Sequence, residues 1–382
     1  MKKYWQTLGT IAKYAALLYF LAVICYKFSC SLIPVKYGAL SDNRMPARFP
    51  ERLSLNFPAE FDAYYQDNFP NRKKMVKRYN KTRKKRFGIN EYIITGKDDW
   101  MFFNSVKSEI KSDQLADFLG TNLYTPEHLE ELMNILMADI RKFEELGAKV
   151  LVTFPPNKMR IYPEYMPDMY QKRQAAFTRT DQLAEALKAR GVVTVDYNDM
   201  FREEKKKHRL FLRTDTHWTT YGGYLAYRRL FAELQKMGFL QGQKPLEITK
   251  LEKHDRSCGD NFKTEGVFVP CSEWDYTMEY DRPLTHSCEA RGKRPDINLG
   301  ADDILCVTPD KKQKLLVIRD SFFDNIYPVL SEHFGQTVLL WRTLMDYPDM
   351  AKVIRREKPD IVILEYQERF SFYVADTIFQ EE

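Results

Sequence analysis

The chain has 382 residues, 44% of them hydrophobic and 14% aromatic, enough apolar material for one large domain with an appendage, which excludes global disorder. Its formal net charge is +6, from 59 Lys and Arg against 53 Asp and Glu. Much of that excess lies in one run, Arg72-Lys73-Lys74 through Arg86, and no recognition motif accompanies it, which argues against a nucleic-acid-binding protein.

An apolar run from Tyr14 to Tyr26 follows Lys2, Lys3 and Lys13. Extended by Phe28 and Leu32-Ile33, with Lys13 and Lys27 snorkelling, it approaches the ~20 residues that a membrane span requires. No small-x-small cleavage site follows it. Residues 1–33 therefore read as an uncleaved signal anchor with a cytoplasmic stub, a cleaved signal peptide being the alternative, and the rest of the chain as exported. Residues 34–57, rich in Pro, Arg and Asn, read as an extended linker. Over 58–87 the spacing of Phe61, Tyr64, Tyr65 and Phe69 predicts a helix that Pro70 breaks or restarts, with the basic run as a solvated face near anionic lipid. Residues 34–95 thus form a membrane-proximal linker and helices. Tyr92-Ile93-Ile94 and Trp100-Met101-Phe102-Phe103 flank a Gly96-Lys97-Asp98-Asp99 turn, the pattern of a hairpin.

Beyond residue 96 the chain alternates. Helical periodicity over 127–147, 173–190, 219–237, 322–334 and 347–358 separates short β-rich runs at 149–154, 192–197, 315–318, 337–341 and 360–365. This order predicts an α/β domain over 96–382, a parallel sheet with helices on both faces. Residues 239–313 read as an insertion carrying Cys258, Cys271, Cys288 and Cys306. Their spacing matches no zinc site, and one or two disulfides are expected in an exported domain; four cysteines allow three pairings, and spacing selects none.

In such sheets function lies past the carboxyl ends of the strands. The residues there are Pro155-Pro156-Asn157-Lys158, Asn198-Asp199, Asp320-Ser321, Arg342 and Glu365 through Arg369. Ser321 directly follows a strand, at the start of a helix whose N-terminus can help hold an oxyanion. The glycines of a nucleophile elbow are absent, because Arg319 and Phe323 occupy their positions. Asp215-Thr216-His217 places a carboxylate two residues from an imidazole, so that Asp215 can accept from Nδ1 and leave Nε2 to take a serine proton. Asp215, His217 and Ser321 are thus the expected triad of an acyl-transfer enzyme. The residues nominate no third or fourth metal ligand, and no cofactor is called for.

Thr214-Asp215-Thr216-His217-Trp218, the Asp320-Ser321-Phe322 turn, and Phe154-Pro155-Pro156-Asn157-Lys158 with Tyr162-Pro163-Glu164 resemble the alginate O-acetyltransferase (AlgX/AlgJ-like) family. So do Phe69-Pro70-Asn71-Arg72 with the Gly96–Trp100 turn, and Pro359 through Glu365 with Glu368-Arg369-Phe370. The resemblance spans about residues 55–375. It implies an SGNH-hydrolase-like fold and a triad of Asp215, His217 and Ser321 that moves acetyl groups onto, or off, hydroxyls of an exported polysaccharide. It also implies a membrane-bound O-acyltransferase partner that delivers the acetyl group, and a domain outside the cytoplasmic membrane. Arg319 stands where related enzymes commonly have glycine, and residues 239–313 have no counterpart.

Asn157 is the candidate second oxyanion donor. Lys158, Arg319, Arg342 and Arg369 are candidates for binding an acidic polymer, and Trp218 for stacking on a sugar ring. A polysaccharide esterase and a non-catalytic glycan-binding scaffold are the alternatives to an acetyltransferase.

Overall fold

The computed structural model describes residues 93–104, 114–264, 271–290, 303–342 and 347–379, with 47–50, 56–67 and scattered positions before residue 93. The chain divides into one unit over Met1–Asn90 with Thr264–Val267 and a larger one over Glu91–Lys263 with Phe268–Glu382. The predicted hairpin thus belongs with the larger unit. In the smaller unit, helix α1 (Phe57–Asp67) sets Phe61 against Phe57 and Phe49. The anchor expected over 1–33, the continuation of the helix beyond residue 67 and the basic run lie almost wholly outside the described residues. Among the described residues no helix is long and apolar enough to cross a membrane.

The larger unit opens with the hairpin β1 (Ile93–Thr95) and β2 (Met101–Phe103). Its main sheet contains β3 (Lys149–Phe154), β4 (Val193–Asp196), β7 (Ser287–Ala290), β8 (Ile304–Val307), β9 (Lys314–Arg319), β10 (Gln336–Trp341) and β11 (Ile361–Glu365). A separate antiparallel ribbon pairs β5 (Ile248–Ser257) with β6 (Ser272–Tyr280). The strand order of the main sheet is β4-β3-β11-β9-β10-β8-β7. The first five strands are parallel, as expected; β8 joins β10 antiparallel and β7 joins β8 antiparallel. The sheet is therefore mixed rather than wholly parallel. The residues read as an insertion close one edge of it, because β7 and β8 form a hairpin that β10 can accept without a crossover.

The parallel strands read as unbroken apolar runs because both faces are covered. Side chains alternate between two cores. Leu151, Val195, Leu315, Val317, Leu339, Ile361 and Ile363 face the layer that holds Tyr227, Leu230 and Phe231 of α4 (Thr220–Lys236). Val150, Val152, Leu316, Ile318, Val338, Leu340, Val362 and Leu364 face α2 (Pro126–Glu145), α3 (Arg179–Ala189) and α5 (Tyr347–Glu357). Helix α3 begins six residues later than expected, at a capping box in which Thr178 and Asp181 satisfy each other's end groups.

The helix expected over 322–334 is broken into Ser321–Asn325, Tyr327–Leu330 and Ser331–His333. Pro328, lacking an N–H, permits only a fresh start there. The extended helix dipole expected behind Ser321 is absent for that reason.

The four cysteines form two disulfides, Cys258–Cys271 and Cys288–Cys306. Cys288 and Cys306 are direct partners across β7 and β8. Ile363, fully buried at the middle of β11, the central one of the five parallel strands, is a direct test of this core. Ile363→Ala is expected to lower the unfolding free energy by about 2–5 kcal/mol in urea titrations; a loss below about 1 kcal/mol would show that the strand is not packed as described.

Candidate active site

Phe211 and Trp218 form an isolated antiparallel bridge that closes the intervening residues into a loop. Leu212 N–H donates to the His217 carbonyl (3.1 Å) and Thr219 N–H to that of Leu210 (2.8 Å). Trp218 is fully buried beneath the loop, edge-on to Phe322 and Tyr197. It is therefore a core residue and not a sugar platform. Its ring fixes the base of the loop against the turn that carries Ser321.

The loop bends so that Asp215 and His217 meet. His217 Nδ1 lies 2.6 Å from Asp215 Oδ1, and the His217 backbone N–H donates to the same oxygen at 3.1 Å. An ionised carboxylate can only accept, so Nδ1 carries the proton and Nε2 presents a lone pair. Ser321 Oγ lies 2.7 Å from Nε2, across 104 residues of sequence. The three groups form one continuous hydrogen-bonded chain.

Ser321 starts a tight turn at the end of β9. Asp320 caps that turn by accepting from Phe322 N–H (2.8 Å), and its own N–H donates to Glu365 Oε2 (3.0 Å) at the end of the neighbouring strand β11. Arg319 is buried; its Nη1 meets Asp324 Oδ1 (2.5 Å) and its guanidinium lies 4.4 Å from the Trp341 ring. It braces the turn from within, and its donors are not presented to a substrate.

Burial opposes ionisation of both Asp215 and His217. The hydrogen bond and charge of His217 outweigh it for Asp215, which is held well below the usual carboxylate range. His217 moves the opposite way and is raised: burial opposes its charge, but Asp215 and then Asp260 outweigh it, with Arg369 opposing them.

Three other segments of the chain hold the loop. Lys158, at the end of β3, donates from Nζ to the carbonyls of Leu212 (2.9 Å), Arg213 (3.0 Å) and Asp215 (2.7 Å). Its three donors are thereby used, which excludes the acidic-polymer contact expected of it. Glu273, on β6, accepts from the N–H groups of Arg213 and Thr214 and from the Thr214 hydroxyl. Asp260 accepts from Thr216 N–H (2.7 Å) and Oγ1 (2.6 Å). Gly259 packs so closely that a Cβ there would lie 2.2 Å from the Asp215 side chain. Glu273, Asp260 and Gly259 come from the region read as an insertion. Ligand atoms of Asp215, His217 and Asp260 lie within 4.8 Å of one another, the spacing a cation would need, but each residue is already engaged in the bonds above.

A small cavity open to solvent adjoins the loop, lined by Phe103, Asn157, Thr216, Gln367 and Arg369 among others. Asn157 is buried; its Oδ1 accepts from Gln367 Nε2 (2.9 Å), which leaves Nδ2 as the donor end of the amide. Its N–H donates to Glu368 Oε2 (2.7 Å), and the other oxygen of Glu368 binds Arg160, itself paired with Asp181. Arg369 is buried with no carboxylate within ion-pair distance among the described residues, and its Nε has no partner. Arg342 is buried over the Tyr366 ring at 4.0 Å and does not line this cavity. Asn198 and Asp199, also at a strand end, begin a helix in which exposed Asp199 pairs with Arg202.

The fold and this arrangement define an SGNH-hydrolase-like α/β domain with a Ser–His–Asp chain beyond its strand ends. The family described as "SGNH hydrolase-like domain, acetyltransferase AlgX" matches residues 93–310, more than half of the chain, and the chain belongs to that family. The matched span includes Asp215 and His217 and ends before Ser321. Among curated relatives, "Probable alginate O-acetylase AlgJ" of Pseudomonas aeruginosa is 26% identical over 168 residues, covering 44% of this chain and 39% of that protein. The protein of the same description in Pseudomonas syringae pv. tomato is 25% identical over 158 residues, covering 41% and 37%. The chain thus spans about two fifths of the length of the curated relatives it matches. The solved structure of Bacillus cereus PatB1 with a sulfonyl adduct covers 76% of this chain and 99% of its own, at 14% identity and a TM-score of 0.55, a shared fold.

Since the folded pKa of His217 lies above the ordinary 6.5, its pairing stabilises the protein fully below about pH 6.5 and loses that contribution as pH rises through the folded value. In an NMR titration His217 is expected to gain its proton above pH 6.5, and Asp215→Asn to move that midpoint downward. An unmoved midpoint would remove Asp215 as the cause.

Proposed function

We propose that this chain is an O-acetyltransferase that places acetyl groups on hydroxyls of an exported acidic polysaccharide of the alginate type. One observation carries the reading: the hydrogen-bonded chain from Asp215 through His217 to Ser321, with spacings of 2.6 and 2.7 Å. Family membership and the alginate O-acetylases among its relatives support the choice of acetyl transfer.

In the proposed reaction His217 Nε2 takes the proton of Ser321 as Oγ attacks the acetyl carbonyl. Asp215 holds the tautomer and the imidazolium that forms. His217 returns that proton to the leaving group. A sugar hydroxyl then gives its proton to His217 and attacks the acetyl-serine, restoring Oγ–H. Asn157 Nδ2 is the proposed oxyanion donor, and Arg369 the proposed partner of an acceptor carboxylate. The cavity that both residues line supports these roles, as does the lack of any protein carboxylate paired with Arg369 among the described residues. Residues 1–33 are proposed as the membrane anchor and 34–95 as the membrane-proximal segment, with 96–382 as a catalytic domain outside the cytoplasmic membrane. A membrane-bound O-acyltransferase is the proposed acetyl supplier.

Incubated with a chromogenic acetyl ester and an oligouronate, the chain is expected to yield acetylated oligouronate. Ser321→Ala is expected to lower that yield on the order of 10⁴-fold or more. Release of acetate alone, with no transfer at any acceptor concentration, would convert the reading to an esterase. Undiminished transfer by Ser321→Ala would end it.

A further inference from the structure

We propose that Lys158 is a positioning residue for the triad: its ammonium gathers three carbonyls of the Asp215–His217 loop and so fixes the imidazole in reach of Ser321. The proposal rests on the catalytic reading of that triad. Lys158 does not touch the reacting atoms. It acts through the backbone, and the carbonyl of Asp215 is one of its three acceptors, at 2.7 Å.

The stoichiometry is specific. An ammonium has three N–H donors and no acceptor. The carbonyls of Leu212, Arg213 and Asp215 supply three acceptors at 2.7–3.0 Å, and the neutral amine could serve only two of them. Lys158 is 5% exposed, and its Nζ lies 5.6 Å from the Trp100 ring and 5.4 Å from that of Phe102. Aromatic faces there favour a cation and exclude water that could replace a lost bond. Because the loop between Phe211 and Trp218 is irregular, the carbonyls of Leu212 and Asp215 rely on Lys158, while that of Arg213 also accepts from the Met101 N–H (2.9 Å).

The charged groups around Lys158 set its protonation. Burial dominates and pushes the ammonium down to about 7; Asp215, Asp260 and Glu273 oppose that, and Arg209 adds to it. Loss of the proton would release one carbonyl and slacken the loop. The activity is therefore expected to fall on the alkaline side of neutrality, while the acid side is set by His217.

The full chain would be assayed for hydrolysis of a chromogenic acetyl ester and for labelling of Ser321 by a sulfonyl fluoride, across pH, in wild type, Lys158→Met and Lys158→Arg. Melting temperatures would be recorded in parallel. Displacing a catalytic group by about 1 Å costs on the order of 100-fold, so folded Lys158→Met is expected to lose about that factor in kcat, with KM nearly unchanged. Lys158→Arg, permanently charged, is expected to recover part of kcat and to lack the alkaline limb. Folded Lys158→Met with kcat near wild type would overturn the proposal, as would an alkaline limb persisting in Lys158→Arg. If neither variant folds, the wild-type profile decides: an absent alkaline limb overturns the proposal and a present one supports it. Wild-type Ser321 that no reagent labels would instead sink the triad reading, and this role with it.

Discussion

Irregular backbone can be buried only if every N–H and C=O finds a partner. In this protein the partners at functional loops are buried charged side chains. Lys158 takes three carbonyls, and Glu273 and Asp260 take the N–H groups of residues 213, 214 and 216. Glu365 holds the N–H of Asp320, and Glu368 that of Asn157. Asp139 performs the same service near the C-terminal end of the described chain, accepting from Ile378 and Phe379. The regular sheet supplies a rigid frame, and the charges convert the loops at its edge into equally fixed parts.

Burying so many carboxylates has a cost, and protonation shows where it falls. Desolvation raises Asp139, Asp320, Glu365 and Glu368, with the nearby charge of Asp320 adding to the effect on Glu365. Asp215 is buried too, yet moves the other way, because it alone of these faces an imidazole at hydrogen-bond distance. The same burial therefore raises four carboxyls and is overcome at the one that lies beside the base.

Much of this was legible in the sequence. The five parallel strands announced themselves as short apolar runs, and Asp215, His217 and Ser321 by the Asp-x-His spacing and a serine directly after a strand. What escaped was whatever depends on contacts between distant segments. Lys158, Arg319 and Arg342 read as candidate contacts for an acidic polymer, since nothing local reveals that three carbonyls, Asp324 and the Tyr366 ring await them. Trp218 beside His217 gave no sign of lying under the loop. Asp260 and Glu273 were hidden because the cysteine-bearing stretch read as an insertion without counterpart, whereas the family match runs through it to residue 310; its cysteines did hint at a structured region. The break at Pro328 was visible in principle, but an apolar rhythm on either side masked it.

The strand at the centre of the five parallel ones, β11, is the last of the described strands in chain order, and it lies between β3 and β9, which are 160 residues apart in the chain from Phe154 to Lys314. Until residues 361–365 arrive, these two strands share no common neighbour, and the halves of the sheet have no seam along which to join. Two groups that follow directly, Gln367 and Arg369, line the cavity that adjoins the Asp215–His217 loop. Assembly of the site therefore waits on β11: the aspartate, the histidine and the serine all precede it in the chain, and the two halves of the sheet are joined only when it pairs with β3 and β9.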